Sequence, residues 1–195
     1  MSMLEKFNIV TGGDWITGGF DVQYKIVDRI LYFQCTHGND DWKENFKAGH
    51  DVYPCSDIRF KAHDGFSELW LSVKEEIEKL DFDAIVGYSQ GAALAGFAHE
   101  NYFHRKGRQP ITWTFGCPRF LYKPSSMLEA RFTNFIRYGN LGDIVTMVPP
   151  SFMGYRHVGP GKLLCHKVER PKNVPILEWL SGHSPAQYRL ELERE

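Results

Sequence analysis

Five residues constrain this chain more than any others: Gly87-Tyr88-Ser89-Gln90-Gly91. The pattern G-x-S-x-G alone is weak, because a protein of ordinary length contains it by chance. Its flanks make it informative. Ala84-Ile-Val-Gly-Tyr reads as a short buried strand, and the Ala-rich stretch from Ala92 to Arg105 reads as a helix. A serine on a strained turn between strand and helix needs small residues two before it and two after it. Gly87 and Gly91 supply them, and Ala92 and Ala93 let the helix close on the sheet. Such a turn lifts the Ser89 oxygen to the carboxyl end of the strand. There the helix dipole and the backbone N–H of Gln90 can stabilise a developing oxyanion. The competing reading is an ordinary tight strand–helix turn with a solvent-facing serine.

The rest of the chain repeats the alternation of strand and helix. Val22 to Val27 alternates in a strand-like way, and Ile30 to Phe33 is nearly continuous apolar sequence, so the two predict a hairpin with a buried second strand. Phe66, Leu69, Trp70, Val73, Ile77 and Leu80 recur at spacings of three and four, which predicts an amphipathic helix over Gly65 to Leu80. Ile111 to Phe115 and Phe135 to Tyr138 are further strands, and Ala186 to Glu193 is a short terminal helix. Buried strands alternating with helices predict an α/β fold with a mostly parallel sheet and an N-terminal antiparallel hairpin. No repeat, low-complexity tract or linker interrupts the pattern, so one domain over residues 1–195 is the simplest account.

Charge and cysteine usage remove several function classes. Lys plus Arg number 23 and Asp plus Glu number 24, whereas a protein held to nucleic acid by phosphate contacts carries a basic excess. The longest uncharged run, Ala84 to His99, is rich in Gly, Ala, Ser and Gln and falls short of the ~20 apolar residues of a membrane span. An acidic residue at Glu5 with no apolar run after it predicts no secretory signal, and hence a cytoplasmic location. Cys35, Cys55, Cys117 and Cys165 form no C-x-x-C pair, which predicts four buried free thiols and no metal site.

A serine hydroxyl is a poor nucleophile unless a base takes its proton. On a strand–turn–helix serine the partners follow in the order acid, then histidine. Asp143 follows the strand Phe135 to Tyr138 inside a Gly-containing loop, where an acid can orient an imidazole above the sheet; a turn Asp bonding its own backbone is the alternative. Three histidines follow. His166 lies in a strand-like stretch, His157 in Tyr155-Arg-His-Val-Gly is a competitor, and His183 is favoured because it stands in a loop just before the last helix.

Together these pieces resemble the class 3 lipases, a branch of the α/β hydrolases. Phe33-Gln34-Cys35-Thr36 followed by Asp41-Trp42 resembles the family's F-R-G-T and its following D-W. His63-Asp-Gly-Phe66 resembles H-x-G-F, and Thr114-Phe-Gly-Cys-Pro-Arg119 resembles T-F-G-x-P-R. Asn140 to Pro149 resembles the segment carrying the catalytic Asp, and His183-Ser-Pro-Ala-Gln-Tyr188 resembles the terminal H-x-x-x-Y carrying the catalytic His. Tyr155 to Gly159 resembles a segment whose His is not the catalytic one. The resemblance implies an α/β-hydrolase fold with helices on both faces of the sheet. It also implies a Ser89, Asp143 and His183 triad, and an oxyanion hole from Gln90 and Thr36. Gln34 and Cys35 stand where the family has Arg and Gly, Tyr88 and Gln90 replace the common elbow His and Leu, and Gly182 replaces an Asp.

The expected function is serine carboxylic ester hydrolysis through an acyl-enzyme, with no cofactor and no metal. The expected partner is a small ester or lipid, with neither nucleic acid nor an integral membrane segment involved and with transient contact at a lipid surface. Phospholipase or thioesterase activity on the same triad, and a non-catalytic hydrolase-fold binding protein, are the alternatives. In the family a lid often follows the oxyanion Thr; here His37 to Ala48 is short and polar, which favours a general esterase. Trp15, Trp42, Phe152 and Trp179 are expected to serve core packing rather than to line the site.

Overall fold

Three short strands open the large sheet of the computed structural model, which describes residues 1–34, 49–164 and 180–195. Strands β1 (Ile16–Thr17), β2 (Gln23–Val27) and β3 (Ile30–Phe33) pair antiparallel, so the predicted hairpin is present and gains an edge strand. A second, smaller sheet takes strands β4 (His50–Val52) and β5 (Lys61–His63). Next come β6 (Ala84–Tyr88), β7 (Ile111–Phe115) and β8 (Leu121–Tyr122), then β9 (Phe135–Asn140), β10 (Tyr155–Arg156) and β11 (Gly161–Leu164). The large sheet runs β1-β2-β3-β6-β7-β9-β11 and is parallel from β3 onward. The small one runs β10-β8-β5-β4 and is antiparallel throughout.

Helices cover both faces of the large sheet. Two of them, α1 (Met3–Val10) and α2 (Asp64–Ile77), precede β6 in the chain. After it come α3 (Gln90–Lys106), the single turn α4 (Ser126–Glu129) and α5 (Pro185–Leu192). The two-residue period of the strands divides the apolar side chains between two layers. Leu31, Phe33 and Ile85 pack with Trp70 and Phe66 of α2 and Phe97 of α3. Tyr32, Val86 and Tyr88 pack on the opposite face with Phe7 of α1 and Tyr188 of α5. Tyr88 therefore faces the last helix of the chain although it sits in the middle of the sequence.

Several expectations are corrected. Helix α1 was not foreseen, although Ser2 and Glu5 form a capping box: Ser2 Oγ accepts the Glu5 N–H at 3.1 Å and Glu5 Oε2 accepts the Ser2 N–H at 2.6 Å. The short strand β10 stops at Arg156, one residue before His157. Cys117 is buried as expected, but Cys55 is only half-buried, because its strand-poor segment lies at the rim of the core. Trp15 packs at the edge of the second layer, with Lys25 Nζ 3.9 Å above its ring. Phe152 is not core at all: it stands 88% exposed on a single 3-10 turn, Ser151–Met153, too short to fold an apolar face inward. Cys35, Trp42, Cys165, His166 and Trp179 lie outside the described residues.

Candidate active site

Ser89 joins β6 to α3 with φ 57° and ψ −127°, a left-handed backbone that a non-glycine residue adopts at a cost of roughly 1–3 kcal/mol. The small residues around it answer to close backbone approaches. A Cβ on Gly87 would lie 2.4 Å from the Gly91 carbonyl oxygen, and one on Gly91 would lie 2.4 Å from that of Phe33. The predicted steric role of both glycines is thus explained by helix α3 crossing directly over β3 and β6. The Ser89 N–H is tied to the Phe115 carbonyl at 2.9 Å, which fixes the elbow to β7. Gln90 opens α3, whose first-turn N–H groups point along the axis toward the serine end.

Asp143 stands three residues past the end of β9 and caps the 3-10 turn Ile144–Met147. The carboxylate is 1% exposed and accepts from every side. The Val145 N–H donates to Oδ1 at 2.9 Å, and the Tyr188 hydroxyl donates to Oδ2 at 2.6 Å. His183 presents Nδ1 at 2.9 Å from both carboxylate oxygens, while its Nε2 lies 2.8 Å from Ser89 Oγ. With Nδ1–H donated to the carboxylate, the network assigns the lone pair of Nε2 to the serine side. His183 ends a 3-10 turn, Leu180–His183, rather than standing in an open loop. The structure thus brings Ser89, Asp143 and His183 into one hydrogen-bonded chain.

His157 stands apart from that chain. Its Nε2 donates to the Thr146 carbonyl at 2.7 Å, and burial, with the Arg137 charge second, pushes its pKa down to about 3. It props the turn that carries Asp143. Thr36 and the segment His37 to Ala48 lie outside the described residues.

Four further residues shape the site without having been singled out from sequence. Tyr88 stacks on the His183 imidazole, ring centroids 5.1 Å apart and planes 15° from parallel, and its hydroxyl donates to the His183 carbonyl. Tyr188 is fully buried, and burial together with Asp143 holds its phenol well above the ordinary value, so it remains a donor. Asn140 donates from Nδ2 to the Gly182 carbonyl at 3.0 Å, linking the acid loop to the base loop. Gly116 at the end of β7 leaves room for the imidazole: a Cβ there would lie 2.7 Å from His183 Cε1. Gly182 abuts the Asp143 backbone, a Cβ there lying 2.8 Å from Asp143 N. The available signal for Tyr188 was its place five residues after His183, in the segment that resembles the family's terminal motif.

Comparison with known proteins identifies the family and the fold. Residues 30–153, more than half the chain, match the family described as Lipase (class 3). Among solved structures, the MDLA protein of Penicillium cyclopium is similar at a TM-score of 0.66 and 18% identity, over 88% of this chain and 76% of that one. The mono- and diacylglycerol lipase of Aspergillus oryzae is similar at 0.63 and 21%, over 82% and 63%. The triacylglyceride lipase of Rhizomucor miehei is similar at 0.64 and 19%, over 77% and 65%. At these identities the likeness establishes the α/β-hydrolase fold, and the family match adds the chemistry: the chain belongs to the class 3 lipases, a family of serine ester hydrolases.

Proposed function

We propose that Ser89 is the nucleophile, His183 the general base and acid, and Asp143 the orienting carboxylate of an enzyme that hydrolyses carboxylic esters of lipid or smaller acyl groups. One observation carries this reading: a single imidazole spans Ser89 Oγ at 2.8 Å and the buried Asp143 carboxylate at 2.9 Å. As Ser89 Oγ bonds to the ester carbonyl carbon, its proton moves to His183 Nε2. The imidazolium so formed is stabilised by Asp143, which stays ionised. When the tetrahedral species collapses, the carbon–oxygen bond to the alcohol breaks and Nε2–H protonates the departing oxygen. Water then attacks the acyl-enzyme, giving its proton to Nε2, and Ser89 recovers the proton as the acid leaves.

The negative oxygen of each tetrahedral species needs preorganised donors, each worth roughly 3 kcal/mol of barrier. We assign one to the Gln90 N–H at the start of α3. The second is assigned to Thr36 on the family resemblance. Tyr88 and Tyr188 hold the base and the acid in register, one by stacking and one by a short hydrogen bond.

A fluorophosphonate probe tests the assignment, because it reacts only with an activated serine. Labelling of the native chain that disappears in Ser89→Ala is the expected result. Folded native protein that takes no label overturns the reading and favours a non-catalytic binding protein. A series of p-nitrophenyl esters of rising acyl length, run beside phospholipids and thioesters, then sets the substrate class.

A further inference from the structure

A cavity of about 210 Å³ lies where β9 pairs with β11, behind the turn that carries Asp143. Ser89, Asp143 and His183 do not line it. Cys117 of the first core layer does, whereas His183 stacks on Tyr88 of the second. A glycine makes part of the room. Gly161 faces Arg137 across the strand pair, and a Cβ there would lie 3.0 Å from Arg137 Nη2. The guanidinium therefore lies along the two strands in space that a side chain on β11 would take.

The cavity is cationic and has no acid of its own. Arg137 Nε donates to the Val158 carbonyl at 2.9 Å and Nη2 to the Gly159 carbonyl at 3.2 Å, which leaves Nη1 without a partner among the described residues. No Asp or Glu among the described residues lines the space. Asp143 is directed instead into the triad, where it accepts from Val145, Tyr188 and His183. Burial pulls the Arg137 pKa down. Arg119, which donates to the Met147 and Pro149 carbonyls, is lowered by burial first and then by the charges of Arg137 and Arg156. A half-buried cation among other cations is costly unless a counter-charge meets it. A guanidinium with a free N–H edge matches the oxygens of a phosphate or carboxylate. Size narrows the guest, because pockets for drug-sized ligands begin at roughly 300 Å³.

We propose that this cavity is a binding site for one small soluble oxyanion, a phosphate or a carboxylate group, held by the Arg137 guanidinium. Thr146 lines the same cavity, and its hydroxyl donates to the Asp143 carbonyl at 2.7 Å. A bound anion thus abuts the acid turn from the side opposite the imidazole.

Isothermal titration of the full chain in Tris chloride at constant ionic strength tests this, with sodium phosphate in one arm and sodium acetate in the other. Saturable binding of at least one anion is expected, together with a rise in the thermal unfolding midpoint. Tighter binding of phosphate assigns a phosphate group, and tighter binding of acetate assigns a carboxylate. Arg137→Met should weaken binding at least about tenfold, because hydrogen bonds between charged partners are lost. Arg137→Lys keeps the charge without the fork and should weaken it less. If Arg137→Met does not fold, Arg137→Lys decides alone. Lys106→Met, at the far end of α3 from Ser89, should bind as the parent does. Binding of neither anion overturns the proposal. So does binding that the Arg137 variants leave unchanged, or that Lys106→Met weakens equally. No ester chemistry is read, so failure here leaves the fluorophosphonate result standing, and failure of that labelling leaves this binding measurable.

Discussion

The two halves of the candidate site are held by different physics. The proposed nucleophile is placed by backbone: a left-handed Ser89 between Gly87 on the strand and Gly91 on the helix, each at van der Waals limits. The proposed acid and base are placed by side chains. Tyr188 and Val145 hold Asp143, Tyr88 stacks on His183, and Asn140 bridges the two loops. Backbone placement is rigid and intolerant, so damage there should appear as lost stability. Side-chain placement is graded, so damage there should appear as lost rate with the fold intact.

The largest effects come from the reacting groups themselves. Ser89→Ala or His183→Ala should each lower kcat by roughly 10⁵-fold or more, and the double variant should be little worse, because the residues act as a unit. His157→Ala should keep most of its activity in the same ester assay. If His157→Ala were the inactive variant and His183→Ala the active one, the base assignment would fail.

Gly91→Ala probes the backbone half. The added Cβ meets main-chain atoms of Phe33 and Gln34 at 2.4–2.8 Å, none of which can rotate away. We expect about 3 kcal/mol of lost stability in denaturant unfolding, accompanying any loss of activity. A variant that kept its stability and lost only rate would erase the contrast between the halves.

Acid should act on both halves at once. Burial depresses His99 on α3 to about 4, His63 at the end of β5 to about 4 and His157 behind the acid turn to about 3. The folded protein keeps these rings neutral while the unfolded chain protonates them near the ordinary 6.5. The stability they permit is therefore complete above that value and is lost as pH falls toward 4. With three protons in play the slope approaches about 4 kcal/mol per pH unit. Urea midpoints measured at steps between pH 7 and 4.5 check this, and a flat profile would show that the three rings are not buried as described.

Legibility in the sequence follows the same division. Strands β2, β3, β6, β7 and β9 and helices α2 and α3 are long enough to display their periods. The small sheet was not foreseen, because strands of two or three residues, such as β8 and β10, carry no period and form only through their partners. Ser89 and Asp143 were readable because each rests on a local motif. His183 was preferred to His157 for its place before the last helix, and what separates them physically is contact: one ring meets Ser89, the other a backbone carbonyl. Tyr88 and Tyr188 could not be paired with the base and acid from spacing alone. Their roles arise where one face of β6 meets a helix almost a hundred residues later, a contact that only the folded sheet creates.

Tyr188→Phe tests the acid half. It removes a 2.6 Å donor from a buried carboxylate, and a hydrogen bond to a charged group is worth roughly 1.5–3 kcal/mol. The expected loss in kcat is about 10- to 100-fold, with KM for a short ester little changed, since the contact touches no substrate.

Tyr88→Phe is the smallest and most discriminating change. The ring that stacks on His183 remains, and only the hydroxyl that donates to the His183 carbonyl is lost. That bond joins neutral groups, so roughly 0.5–1.5 kcal/mol is at stake, or about 2- to 10-fold in kcat. Tyr88→Ala removes the stack as well and should cost clearly more. If the two variants were equal, the hydroxyl alone would position the base. If Tyr88→Phe were as damaging as Gly91→Ala to stability, Tyr88 would belong to the rigid half after all. The graded series, measured as kcat beside the unfolding midpoint, therefore locates the boundary between backbone and side-chain placement, which runs through the single bond between Tyr88 and Ser89.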